Sequence, residues 1–266
     1  MGGEFHIMFT FRSLILSERM RSFMMIVILV VFVAFGVQII LNESNLTTQI
    51  FYVVFLSFFT FFFVLSEVLR FMHRKMVYAL NIKVDHPKAL YWLSKVQKFD
   101  LIKEYQQTYV VFKTLYHRDL GEFDELKKTL EHLIFQRSSS LKLIDKVNRF
   151  YIAIEEKNDE QVQSLYKDIY DAYFIKTKKS HTPRYVYDIH QISADYYIYK
   201  KNASKAHDEL QQVLLDRLNP REQTYYYVSF AKYSQLKQKG TDLVYWNKAK
   251  EIAPNVHHVV NYVKES

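Results

Sequence analysis

FMMIVILVVFVAFGVQIIL, Phe23–Leu41, and IFYVVFLSFFTFFFVLS, Ile50–Ser66, are two apolar runs without a charged residue. A helix rises about 1.5 Å per residue, so roughly 20 residues cross a hydrocarbon layer about 30 Å thick. The first run has nearly that length, and the second reaches it when extended to Leu69. Asn42–Gln49 alone lies between them. A link that short predicts an antiparallel transmembrane hairpin over 23–69, crossing at 23–41 and 50–69 with a short external loop at 42–49. Arg12, Arg19 and Arg21 precede the first run, and Arg70, Arg74 and Lys75 follow the second; the loop holds Glu43 and no base. Bases near short loops stay in the cytoplasm, so both termini are expected on the cytoplasmic side of an inner (cytoplasmic) membrane. A cleaved signal peptide fits the first run less well, because the run is long for one and no A-x-A-like site follows it.

The flanks carry further expectations. MGGEFHI at 1–7 reads as a cloning scar ahead of Met8, within a cytoplasmic segment 1–22. Phe9, Phe11, Leu14, Ile15 and Leu16 alternate there with arginines, as in a frayed tail or a short helix lying among headgroups. In the second run Ser57, Thr60, Val64 and Glu67 recur at i, i+3, i+7 and i+10 and share one face. Small and polar residues let helices approach and hydrogen-bond in lipid, which makes this face a candidate for docking a membrane helix. Residues 70–86 read as a basic juxtamembrane linker. Its Arg70, Arg74 and Lys75 set topology and are candidates for anionic lipid headgroups.

Composition narrows the chemistry. The 266 residues include no cysteine, which excludes disulfides, thiol catalysis and cysteine-based zinc sites. Net charge is +8, of which residues 1–75 carry +2 and the remainder +6. That excess suits a domain near an anionic leaflet. No run of bases alternates with aromatics as a stacking platform would, so no nucleic acid is expected. Residues 1–75 hold 14 Phe and one Tyr, and residues 76–266 hold 7 Phe and 20 Tyr. Phe suits lipid, whereas Tyr pairs an apolar ring with a polar tip and suits half-buried helix faces.

Beyond residue 75 the chain has two glycines, Gly121 and Gly240, and no strand or hairpin signal. Apolar residues recur at helical spacing, as in Leu126, Leu130, Leu133 and Ile134. This rhythm predicts an all-α domain over 87–266 with helices at 87–98, 100–118, 122–136, 140–157, 159–176, 183–200, 203–218, 220–239, 242–253 and 256–264. Asp100, Ser140, Asp159, Thr182 and Asn202 are expected N-caps. Turn markers at Gly121, Asn158, Asn202 and Gly240 are spaced by 37, 44 and 38 residues, an irregular repeat of helix pairs. Ala231–Asn255, AKYSQLKQKGTDLVYWNKAKEIAPN, sets Ala231 and Tyr233 in a first helix, Ala249 in a second and Pro254-Asn255 at its end. In this it resembles a tetratricopeptide repeat, shortened between Gly240 and Pro254. Ala194–Pro220 is a weaker match, and the earlier pairs share the rhythm alone. The resemblance implies an α-solenoid that binds peptides or proteins on a concave face lined by first helices.

The expected groove residues are Tyr105, Tyr109, Lys113, Tyr187, Asp195, Tyr196, Tyr226 and Lys232. Tyr225-Tyr226-Tyr227 sweep about 200° of a helix and cannot all face one core. The basic stretch Lys176–Arg184, KTKKSHTPR, reads as a solvated loop or a grip for an acidic partner. No glycine-rich phosphate loop, nucleophile elbow or metal-ligand spacing occurs, so no catalytic residue, metal or cofactor is expected. The expected function is that of a non-enzymatic, membrane-anchored adapter or regulator in a bacterium. It would bind a partner protein at the cytoplasmic face, such as an integral membrane enzyme or transporter. A receptor for a short intracellular peptide and a non-catalytic subunit of a membrane enzyme complex are the alternatives, and self-association is left open.

Overall fold

The computed structural model describes residues 3–174, 187–238 and 240–265. These residues contain helices and turns and no strand, and the chain divides into two compact units, Met1–Arg74 and Lys75–Ser266.

The first unit holds α1 (Gly3–Asn42) and most of α2 (Leu46–Asn81). Met20–Asn42 and Leu46–Asn81 are each long and apolar enough to cross a membrane. The turn between them is tighter than expected, with 43–45 alone outside the helices. Asn45 closes it: its Oδ1 accepts the N–H groups of Thr47 (2.9 Å) and Thr48 (3.3 Å). Gln49 Nε2 donates to the carbonyls of Ile40 (3.2 Å) and Glu43 (2.6 Å), satisfying the end of α1. The two helices meet closely at Gly36, where a Cβ would lie 2.7 Å from Leu56 Cδ1.

The second unit begins inside the expected linker. Residues 70–86 are not a loop, because α2 continues to Asn81 and Met76, Ala79 and Leu80 are buried with Ala89, Leu93 and Phe112. The helices that follow are α3 (His86–Phe99), α4 (Gln106–Leu120), α5 (Phe123–Leu130), α6 (Ser139–Glu155) and α7 (Asp159–Phe174). After them come α8 (Ile189–Tyr199), α9 (Ala203–Gln212), α10 (Pro220–Leu236), α11 (Asp242–Ile252) and α12 (His257–Glu265). Helices α4–α11 pack in sequential pairs, α4 on α5, α6 on α7, α8 on α9 and α10 on α11. The expected helices at 122–136 and 203–218 each break into a shorter helix and a 3₁₀ turn, Leu133–Gln136 and Leu215–Arg217.

One turn design recurs between the helices of a pair. Gly121 (φ 71°), Lys157 (φ 56°) and Lys201 (φ 56°) adopt the left-handed conformation. The next N–H then reaches back to a carbonyl five residues earlier: Glu122 to His117, Asn158 to Ala153 and Asn202 to Tyr197, at 2.8–2.9 Å. These are Schellman closures, which satisfy the last carbonyls of each first helix. Asn158 and Asn202 then cap the second helix through Oδ1, to Gln161 N–H and Lys205 N–H. Asn202 is an N-cap as expected, whereas Asn158 holds the position expected of Asp159 and Ser138 that of Ser140. Asp100 instead closes a turn, accepting the N–H groups of Glu104 and Tyr105, and α4 starts later than expected. Thr182 lies outside the described residues.

The last helix returns to the first pair. His257 packs edge-on against Phe123, at 5.7 Å between ring centroids, and sits where a Cβ on Gly121 would be. Val84, just after α2, joins the apolar cluster of Trp246, Ala249, Val256 and Val259. The beginning and end of this unit therefore share one core.

Candidate functional site

Two charges in the second unit oppose their helix dipoles. Asp119 stands in the last turn of α4, where carbonyls point outward, and Arg221 in the first turn of α10, where N–H groups do. Each is corrected by the other. Arg221 Nε donates to Asp119 Oδ2 at 2.7 Å and Nη2 to Oδ1 at 2.6 Å, in a bidentate pair that is fully buried. Tyr225 O–H also donates to Oδ1 (2.7 Å), and His86 Nε2 lies 3.2 Å from Oδ2. A carboxylate can only accept, so His86 carries its proton on Nε2. Burial alone would raise the Asp119 carboxyl; the Arg221 charge and three hydrogen-bonding side chains outweigh it and hold the group well below the usual carboxylate range. The same contacts keep the buried Tyr225 phenol protonated, through burial first and the Asp119 charge second.

Arg118, one residue earlier, faces a different neighbourhood. Its guanidinium lies 4.8 Å from the ring centroid of Tyr151, 4.9 Å from that of Tyr225 and 5.7 Å from that of Tyr187. These rings come from α6, α10 and the turn before α8. With Arg221, Gln191 and Asp188 they line a cavity of ≈ 70 Å³.

A second cavity, ≈ 180 Å³, shares Tyr151 and Tyr225 with the first. Asp195 lines it. It accepts from Tyr151 O–H (2.9 Å), from Gln191 Nε2 (3.3 Å) and, very closely, from the Ser229 hydroxyl. Burial pushes the Asp195 carboxyl up, against these hydrogen bonds and the charge of Lys232. Tyr151 is pushed far above its ordinary value by burial and by the Asp195 charge. His258 of α12 closes the cavity and is held well below 6.5, by burial first and then by Lys232, His257 and Arg118. The interior thus sets the Arg118 and Arg221 guanidinium groups and protonated phenols beside two buried carboxylates, Asp119 paired with Arg221 and Asp195 held by Tyr151, Gln191 and Ser229.

Of the expected groove residues, Tyr187, Asp195 and Lys232 meet at these two cavities. Tyr196 stacks on Tyr166 (3.9 Å, 7° between planes), and Tyr226 packs with Tyr197 and Phe230, both in helix–helix contacts. Tyr225 and Tyr227 both pack against the cluster that holds Trp246 and Ala249, with the Tyr225 O–H reaching Asp119, while Tyr226 packs in the α8–α9 cluster. Tyr109 is half-buried between two apolar clusters, Tyr105 stands at the start of α4, and Lys113 is half-buried on α4. On α2, Ser57 and Val64 are exposed, while the Thr60 hydroxyl is enclosed. Glu67 lies 3.6 Å from Arg70 and 3.9 Å from Arg21. Arg70 and Arg74 are half-buried and Lys75 is exposed on the same helix. Lys176–Arg184 lies outside the described residues.

Sequence reasoning missed Arg118, Asp119, Arg221, Tyr151 and His258. The signal for the central pair was present in an acid placed just before the helix-ending Gly121 and a base placed just after the helix-starting Pro220. Among the described residues no three of His, Asp and Glu converge as metal ligands would. The chain matches no family model, no curated protein and no solved structure.

Proposed function

We propose that the chain is a membrane-tethered adapter or regulator whose helical pairs form a tetratricopeptide-like solenoid that docks a partner protein at the cytoplasmic face. One observation carries the tether: Phe23, Phe35, Phe51, Phe55, Phe58 and Phe61 are all exposed along two long apolar helices. In water that surface would be a large aggregation-prone patch; in hydrocarbon it is the surface a membrane helix needs. The distribution of arginines supports an orientation with both ends in the cytoplasm. The paired helices with repeated Schellman turns support the solenoid reading. Tethering would raise the local concentration of a docked partner at the membrane. The partner would be an integral membrane protein, an enzyme or transporter, also contacted through the exposed Ser57 and Val64 face of α2.

A second reading, a receptor for a short intracellular peptide, draws support from the polar cavities around Arg118 and Asp195. Purification from native membranes with identification of bound chains discriminates between them. A stoichiometric membrane protein, lost when Ser57, Thr60 and Glu67 are changed to Leu, is expected for the adapter. Unchanged co-purification removes the helix-docking role, and a lone chain carrying a small peptide favours the receptor.

A further inference from the structure

Among the described residues, Arg118 is a buried cation without a counter-ion. The residue is 6% exposed, and its Nε and Nη1 are enclosed and make no hydrogen bond. Tyrosine rings attract the positive charge over their faces, but they offer no acceptor to N–H groups along the guanidinium edge. Its near charged neighbour is Arg221, of the same sign, and Asp119 is already occupied by Arg221, Tyr225 and His86. Neither of the two acids on the cavity wall forms an ion pair with Arg118, and each caps backbone N–H groups through one oxygen. Asp188 accepts the N–H groups of His190 and Gln191 at the start of α8, and Glu222 accepts that of Asn219 in a capping box. Tyr187 O–H is also enclosed and unpartnered, and so is Gln191 Oε1. All three residues line the ≈ 70 Å³ cavity. At roughly 10–15 Å³ of such space per water, the cavity takes a handful of non-hydrogen atoms.

We propose that the Arg118 cavity binds a carboxylate, brought by a small organic acid or by the C-terminus of a peptide. A carboxylate supplies the missing negative charge and about four acceptor sites for Arg118 and Tyr187. Gln191 Oε1 is left to accept an N–H, which a peptide acid has and acetate lacks. The inference is independent of the adapter reading, since it concerns the interior of the domain whatever docks outside.

The test is thermal unfolding of the full chain in detergent at constant ionic strength, with chloride as the reference anion. The probes are sodium acetate, N-acetyl-Ala-Ala as the free acid, its C-terminal amide, and inorganic phosphate. The free acid is expected to raise the midpoint saturably, by about 3 °C at tenfold excess over its dissociation constant, and the amide not at all. A matching response to acetate assigns a small acid as the source; a response to the peptide acid alone assigns a peptide terminus. In Arg118→Met these responses disappear. In chloride that variant is expected to melt at or above the unsubstituted chain, because a charge without a counter-ion has been removed. Tyr187→Phe is expected to weaken the response several-fold while leaving the chloride midpoint in place. Equal responses to acid and amide, a response to phosphate alone, or no response in the unsubstituted chain overturns the proposal. The acid–amide contrast decides the matter even if Arg118→Met does not fold.

Discussion

Asp119 remains an anion in the core because Arg221 reaches it from more than a hundred residues away in the chain. Removing one partner strands the other. Arg221→Met or Asp119→Leu alone is therefore expected to cost about 3–5 kcal/mol, whereas the double substitution comes much closer to neutral. Denaturant unfolding of the four forms measures the coupling directly; additive single costs would mean that the pair is not the unit described. His258 sets the pH dependence. Its imidazole is enclosed by Lys232 from α10, Arg118 and Asp119 from α4 and neighbouring His257, with Glu155 of α6 at 3.8 Å. A base whose folded pKa is depressed contributes stability that is complete above about 6.5 and is lost as pH falls below it. Asp195, with its carboxyl pushed up, acts with the opposite sign and gains stability on protonation. The expected result is a midpoint difference between the unsubstituted chain and His258→Gln that changes steadily from about pH 7.5 to about 5.5. Parallel curves would contradict the burial of this histidine. Acid loss of the Asp119 contribution comes lower, below the ordinary carboxylate value of 3.8. None of this pairing was legible in local pattern, since Asp119 and Arg221 lie 102 residues apart in the chain and meet only through their long side-chain contact. The trace left in sequence was their position against the helix dipoles.

The helices themselves were largely legible, because few glycines, N-capping side chains and apolar residues at helical spacing all act within one or two turns of chain. Boundaries were less so where the cap was one or two residues away from the expected one, as at Asn158 and Ser138. Asp100 misled because a short acid also closes non-helical turns. The stretch 70–86, expected as a basic linker, is helical as far as Asn81, because Met76, Ala79 and Leu80 are buried there with Ala89 and Leu93. At the Schellman turns the left-handed position is held by Gly121 in one case and by lysines in two. Lys157→Gly and Lys201→Gly should each stabilise by up to about 1 kcal/mol, as the left-handed penalty of an L side chain exceeds the entropy cost of glycine. Gly121→Ala should cost more than about 2 kcal/mol, since its Cβ would fall 2.2 Å from His257 Nδ1 as well as adopting positive φ. Gly240→Ala meets nothing within 4 Å and should pay the backbone term alone. Melting midpoints of the four variants rank these effects; a Gly121→Ala midpoint equal to that of Gly240→Ala would contradict the approach of α12 to α4.

For the whole molecule, the two apolar runs were the most legible feature, because a continuous uncharged stretch of this length has few other uses. The pairing rhythm of the remainder was visible as well, while the return of α12 to α4 depends on residues spread over the whole domain and left no local mark. The central claim is a paired membrane crossing that leaves the helical domain inside the cell. The absence of cysteine makes it directly measurable. Single substitutions Ser44→Cys, in the turn between α1 and α2, and Ser204→Cys, exposed on α9, are treated in intact cells with a membrane-impermeant maleimide. The account predicts labelling at position 44 in intact cells and at position 204 after lysis alone. Labelling at position 204 from outside, or protection of position 44 with the membrane intact, would contradict it.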